Sequence, residues 1–283
     1  MRRKNLPALI LGLTLASLIT SASAAAPPAN EADIYTGWLY MYDLKFEEAH
    51  RTFATWREAH PTDPLGPASE AAGYLFSELA RLGALESELF VEDVRFENRK
   101  KLTPDPEIKN RLTQSLTKAD QLADVLLQKS DSDADALFVK SLVCGLRANY
   151  AALVEKRNLA ALSYTKEGRP FNDKLLAIKP DAYDAYLGLG LENYLLSLKP
   201  VAMRVILRWT GSQIDREKGL EQLRLTSEHG HYFEPFAKLL LAVAALRDNN
   251  PAGARQILAG LHERFPHNPL FERELNRLPK ETK

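Results

Sequence analysis

The sequence predicts an all-α fold, an array of antiparallel helix pairs stacked in chain order. Three observations predict it. Apolar residues recur at helical spacing from Ala32 to Leu278, and alternating runs of strand length are hard to find. Ala49, Phe53, Pro61 and Pro64 lie at intervals of 4, 12 and 15 residues from the alanine, and Ala254, Leu258, Pro266 and Pro269 repeat those intervals 205 residues later. Short turn-forming stretches cut the rest into helix-length pieces, which packs neighbours antiparallel. The repeated spacing has a physical meaning. A small residue lets two helices approach, and a large apolar residue one turn on fills the space beside it. Proline then ends the pair, because it lacks an N–H and disfavours helix in the residue before it.

The N-terminus reads as a targeting segment. Arg2, Arg3 and Lys4 precede an apolar stretch from Leu6 to Ile19, and Ala22-Ser23-Ala24 supplies a small-x-small cleavage site. The apolar run falls short of the ~20 residues that a spanning helix needs. Residues 1–24 are therefore expected to be a signal peptide cleaved near Ala24, making the protein exported, periplasmic or secreted. Residues 25–30, with Pro27 and Pro28, read as a flexible leader, and residues 31–283 as the helical repeat domain. No later run is expected to be long and apolar enough to cross a bilayer.

Helices are expected over residues 31–42 and 45–60, closed by Pro61-Thr62-Asp63-Pro64, then over 67–82 and 86–102. Thr103-Pro104-Asp105-Pro106 is a clear break, with Asp105 as N-cap and Pro106 at the first helical position of a long helix to Lys129. After Ser130-Asp131-Ser132-Asp133, helix resumes over 134–156 and 158–166, and Gly168-Arg169-Pro170 predicts another break. Further helices are expected over 171–179, 181–198, a short apolar one between Pro200 and Gly211, then 215–229, 233–247, 252–265 and 271–278. Together they make about fourteen helices, or seven pairs. Each pair buries its apolar face against its neighbours, so the array forms one continuous core.

Composition narrows function more than it names it. Hydrophobic residues make up 45% and charged residues 26%, as in a folded globular chain. Formal net charge is zero, and removal of residues 1–24 leaves 34 positive and 37 negative residues. No global field would gather nucleic acid or an anionic membrane. Cys144 is the single cysteine, so no internal disulfide forms, and its apolar surroundings predict a buried thiol.

Counted back from Pro61, residues Gly37, Tyr40, Phe46, Ala49, Phe53 and Pro61 occupy the places of the tetratricopeptide pattern. Counted back from Pro266, Ala245, Ala254 and Leu258 do so at the other end, and Leu189-Gly190 after Pro180 resembles a middle repeat. The chain thus resembles a divergent, exported bacterial tetratricopeptide-repeat protein, with an irregular stretch around residues 84–130. That resemblance implies a right-handed superhelical solenoid and protein or ligand recognition rather than a fixed reaction.

The resemblance also places a row on the concave face: Glu31, Ile34, Trp38 and Met41, then Asp184, Leu187, Leu191 and Tyr194, then Phe236, Leu239, Val243 and Leu246. This row is unusually apolar for a groove facing water. Either it receives an apolar partner, or chain folds back over it, with residues 84–130 as candidates for the cover. Trp38, Met41, Tyr42, Leu191 and Tyr194 are the expected contact residues for a partner segment, since aromatic anchors dominate such interfaces. Residues 195–209 combine leucines, Val201, Met203, Val205 and Ile206 with Lys199, Arg204, Arg208 and Trp209. They read either as a buried helix or as one lying on a membrane or partner.

No catalytic fingerprint is present, and Asp93 and Glu97 interleave with Arg95 and Arg99 as on a solvated face. His229 and His231 lack a third ligand at metal spacing. The expectation is a non-enzymatic binding or scaffolding protein, without cofactor, metal or nucleic acid, that docks a protein or peptide partner in its groove. The alternative is a carrier or sensor of a small apolar ligand in a closed helical pocket.

Overall fold

Every regular segment among the described residues is helical, and local capping chemistry marks where half of the helices start. The computed structural model describes residues 33–84, 103–209 and 211–278, and among them lie twelve α-helices and no strand. The helices are α1 (Ile34–Tyr42), α2 (Phe46–Ala59), α3 (Leu65–Arg81), α4 (Pro106–Lys129), α5 (Ala134–Asn149), α6 (Asn158–Ile178), α7 (Tyr186–Ser197), α8 (Val201–Trp209), α9 (Arg216–His229), α10 (Glu234–Arg247), α11 (Pro251–Arg264) and α12 (Pro269–Arg277). Side chains of Asp33, Asp105, Asp133, Asp215, Asn250 and Asn268 accept from the free N–H groups of the first turns of α1, α4, α5, α9, α11 and α12. Proline opens α4, α11 and α12, where a missing N–H costs nothing.

Helices pack on their neighbours in chain order, from α1 on α2 through α5 on α6 to α11 on α12; α3 also touches α1 and α5, and α7 packs directly on α9. Glycines set that crossing. A Cβ on Gly219 would lie 2.6 Å from the Tyr194 backbone nitrogen, and one on Gly190 would lie 3.0 Å from the Gly219 carbonyl oxygen. The helix between them in sequence, α8, is looped out, and no described helix lies along it.

Polar pairs, most of them partly or fully buried, stitch successive helices. Arg57 pairs with Glu70 between α2 and α3, and Ser115 of α4 donates to the same carboxylate at 3.3 Å. Asp120 of α4 takes Lys140 at 2.6 Å and Arg147 at 3.1 Å, both from α5. Arg169 of α6 pairs with Glu192 of α7, and Asn193 of α7 donates to Gln222 of α9 at 3.0 Å. Each pair satisfies groups that would otherwise be costly to bury.

The two ends of the described chain then meet. Tyr42 of α1 donates to the carbonyl oxygen of Tyr232 at 2.9 Å, and Asn268 donates to the Tyr42 carbonyl at 2.9 Å. The Asp43 carboxylate accepts from the His267 backbone N–H at 2.9 Å and lies 2.7 Å from its Nδ1. Tyr35 stacks on His231 with ring centroids 4.3 Å apart. One hydrophobic core accordingly runs through α1–α5 and takes in Phe233, Ala242, Leu258, Leu261, Phe265 and Phe271.

Three sequence expectations need correcting or placing. Gly168-Arg169-Pro170 does not break the chain, because α6 runs unbroken through Pro170. Proline there removes one helical hydrogen bond, but Gly168 packs its face against Cys144 Cβ and Arg169 is held by Glu192. Second, the stretch Ala134–Val154 is long and apolar enough by length and composition to cross a membrane. Its apolar residues Leu137, Val139, Val143, Leu146 and Val154 are buried in the fold, which accounts for their hydropathy. Third, the expected signal peptide, the leader and the helix over 86–102 lie outside the described residues.

Candidate functional site

Where α1 and α3 face α10 and α12, the packing leaves a small apolar cleft of about 50 Å³ that opens to solvent. Met41, Tyr42 and Leu44 contribute from α1 and the turn after it, and Phe76 from α3. Pro235, Phe236 and Leu239 come from α10, and Leu270 and Phe271 from α12. The helical period explains the selection. Phe236 and Leu239 are three residues apart, and so share one face of α10. Their side chains, with Phe76 and Leu270, are only partly buried, whereas Met41 and Phe271 form the floor. Phe76 and Phe236 meet edge to face across the cleft at 5.8 Å.

Leu44 is held at φ 57° in the α1–α2 turn. A side chain bearing a Cβ occupies this left-handed region at a cost of roughly 1–2 kcal/mol. The turn thereby presents Leu44 to the cleft.

The polar groups of the cleft are engaged within the chain. Asn268 donates to Tyr42 and accepts from the Leu270 N–H at 3.0 Å, and Glu274 holds Arg277 at 2.8 Å. The exposed lining therefore offers apolar surface without a free charge or a paired acid and base. Among the described residues no group of three His, Cys, Asp or Glu side chains converges as for a metal ion.

The expected contact residues fall into two sets. Met41 and Tyr42 line the cleft, buried at its base. Trp38, 1% exposed, lies in the core beneath it. Its indole N–H donates to Ser69 Oγ at 2.9 Å, and its ring packs on Phe233 at 5.3 Å and Tyr232 at 5.7 Å. Tyr194 is equally buried, in a separate cluster with Leu220, Leu223 and Leu240, and Leu191 packs on that cluster while keeping part of its surface exposed. Trp38 and Tyr194 therefore hold the fold together and present no surface to a partner. Among the described residues Tyr232 and Phe233 pack over Trp38; α4, in the stretch expected to cover it, packs on α3 and α5, and residues 85–102 of that stretch lie outside the described residues.

Phe236 and Leu239 were legible in the sequence as part of the concave row. Phe76, Leu270 and Phe271 were not, since Phe76 sits outside the recognised repeats and α12 follows the last of them. A signal was present in Pro269-Leu270-Phe271, an apolar start directly after a helix-initiating proline.

Other candidates resolve into structural roles. His229 packs on Tyr183 at 4.7 Å and His231 on Tyr35 at 4.3 Å, so the two rings go to different aromatic partners. Cys144 is buried, and burial with Glu167 nearby pushes its thiol up to about 11, far from a reactive thiolate. Asp184, in the 3₁₀ turn Tyr183–Ala185, accepts from three successive N–H groups, those of His231, Tyr232 and Phe233, at 2.9–3.1 Å. Burial raises its carboxyl and these bonds oppose the rise. It fixes the very segment that covers Trp38. Asp93 and Glu97 lie outside the described residues.

No family model matches the chain, and no curated protein matches it in sequence.

Proposed function

We propose that this protein is a non-enzymatic interaction or scaffolding protein, exported to the periplasm or beyond, that docks an apolar segment of a partner protein in the cleft between α1, α3, α10 and α12. On this reading the helices form a right-handed, tetratricopeptide-like superhelical solenoid, irregular in its middle, whose concave side narrows to that cleft. Support for the solenoid comes from packing in chain order and from the spacing shared by Ala49 and Ala254. The observation that carries the function is the cleft lining: partly exposed Phe76, Phe236, Leu239 and Leu270 over an apolar floor, with both polar neighbours already bonded. An amphipathic helix laying its apolar face into such a groove is a common recognition mode.

A photo-crosslinking residue in place of Leu239 tests the reading in cells that express the protein. The proposal expects adducts that map to one apolar segment of another protein and that are absent when the crosslinker replaces exposed Glu272. Equal labelling at both positions would overturn it. The second reading, a carrier of a small apolar molecule, is favoured by the same lining. It predicts a bound small molecule in native mass spectrometry and no protein adduct.

A further inference from the structure

We infer that α8 is a membrane-contact helix that binds surfaces of anionic lipid through an outward-turned apolar face. The observation is an inverted amphipathic helix. Val201, Val205 and Trp209 lie at i, i+4 and i+8, and Ala202 and Ile206 flank them on the same face. That face points away from the protein: Val201 is 66% exposed, Val205 44%, Ile206 58% and Trp209 87%. Arg204 lies on the other side of the helix, half-buried. A surface helix of a globular domain normally turns its apolar stripe inward. Here the α7–α9 crossing closes directly, and α8 is excluded from it.

Charge identifies the occupant. Residues 193–214 contain Lys199, Arg204 and Arg208 and no carboxylate, and Arg204 makes no ion pair among the described residues. A second copy would bring a segment of the same sign, without a carboxylate to offset it. The patch is also small, since nine residues make a helix about 13 Å long. A stable protein interface needs about 800 Å² from each partner. An anionic bilayer requires no matching shape. Its negative surface attracts a segment without carboxylates, its acyl boundary takes Val201, Val205 and Ile206, and tryptophan favours the interface between them.

A neighbouring group adds to the same end of the molecule. Helix α6 runs antiparallel to α7, with Arg169 on Glu192 and Asn172 against Gly188. Its N-terminal end therefore lies toward the end of α7 from which α8 departs, and Leu159 there is 86% exposed.

The test uses the full chain with vesicles of phosphatidylcholine alone or with about 30% phosphatidylglycerol. Trp209 emission is obtained by difference from Trp209→Phe, so the signal reports α8 even if the N-terminal apolar stretch also touches lipid. The inference expects a blue shift of Trp209 with the anionic vesicles at about tenfold lower lipid concentration than with the neutral ones, each cation contributing to the difference. Val205→Glu and Ile206→Glu should abolish the shift without altering the circular dichroism, and Leu239→Glu in the cleft should leave it intact. Absence of a Trp209 shift with either vesicle would overturn the inference, as would a shift unaffected by both glutamates. Self-association that Ile206→Glu abolishes, without a vesicle signal, would overturn it in favour of a second copy of the chain.

Discussion

Tyr42 donates its phenolic hydroxyl to the main-chain carbonyl oxygen of Tyr232 at 2.9 Å, joining points 190 residues apart. Burial is the main influence that holds this hydroxyl protonated, well above its usual range, and so keeps it a donor. The bond locks the first helix to the segment that covers Trp38. Tyr42→Phe leaves a carbonyl without this partner and is expected to cost about 1–2 kcal/mol. Trp38→Ala, which removes a fully buried ring, is expected to cost about 3–5 kcal/mol. Urea denaturation measures both. A Trp38→Ala protein of unchanged midpoint would show that the two ends of the chain do not meet as described.

Asp184 fixes the same segment from the opposite side. Asp184→Ala strips three N–H groups of one shared acceptor, and a loss of about 2 kcal/mol is expected. Asp184→Asn keeps an acceptor oxygen and relieves the burial of charge, so it should retain more stability than the alanine variant. The ordering of the two variants in thermal melts checks the assignment.

Two glycines should respond in opposite directions. At Gly219 a methyl group would lie 2.6 Å from the Tyr194 backbone nitrogen, so Gly219→Ala must push α7 and α9 apart and is expected to destabilise by about 1–3 kcal/mol. At Gly145, exposed in the middle of α5, an added Cβ meets nothing within 4 Å. Gly145→Ala should stabilise by about 0.5–1 kcal/mol through helix propensity alone. Chemical denaturation of the pair separates close packing from backbone preference.

Much of this architecture was legible in the sequence, and the part that was not shares one cause. Asp105, Asp133 and Asp215 mark helix starts because capping is local chemistry, readable over four residues, whereas the helix expected from residue 31 begins only after Asp33. The paired spacing at Ala49 and Ala254 was readable because close helix contacts demand small residues at fixed offsets. The burial of Trp38 was one of two readings of its row, but the segment that packs on it was not readable. The burial depends on Tyr232 and Phe233 arriving from far along the chain, and no local pattern encodes that return. Pro170 misled for the opposite reason. A local rule predicted a break, but packing of Gly168 against Cys144 and the Arg169–Glu192 pair carry α6 through it. In the cleft, Met41, Phe236 and Leu239 belong to the row that the resemblance implied, whereas Phe76 and Leu270 enter through the tertiary arrangement.

Asp43 gives the closure a pH dependence. Burial pushes its carboxyl up, but hydrogen bonds from Lys45 and His267 outweigh that and hold it below its usual value. A depressed folded-state value means that the stabilisation is fully present above the unfolded value, about 4, and is lost as pH falls through the folded one. The difference in thermal midpoint between the wild type and Asp43→Asn should therefore be constant at neutral pH and shrink below about pH 4. A difference that grows on acidification would contradict the assignment.

The account rests most directly on the cleft as the docking surface. Fluorescence anisotropy of a panel of labelled amphipathic helical peptides, titrated with wild-type protein and with Leu239→Glu, measures this. Leu239 is partly exposed, so the variant keeps the fold, which circular dichroism verifies. The account predicts that peptides with an apolar face bind the wild type and that the glutamate weakens them at least tenfold, about 1.4 kcal/mol. Peptide binding of equal strength in both proteins would contradict it.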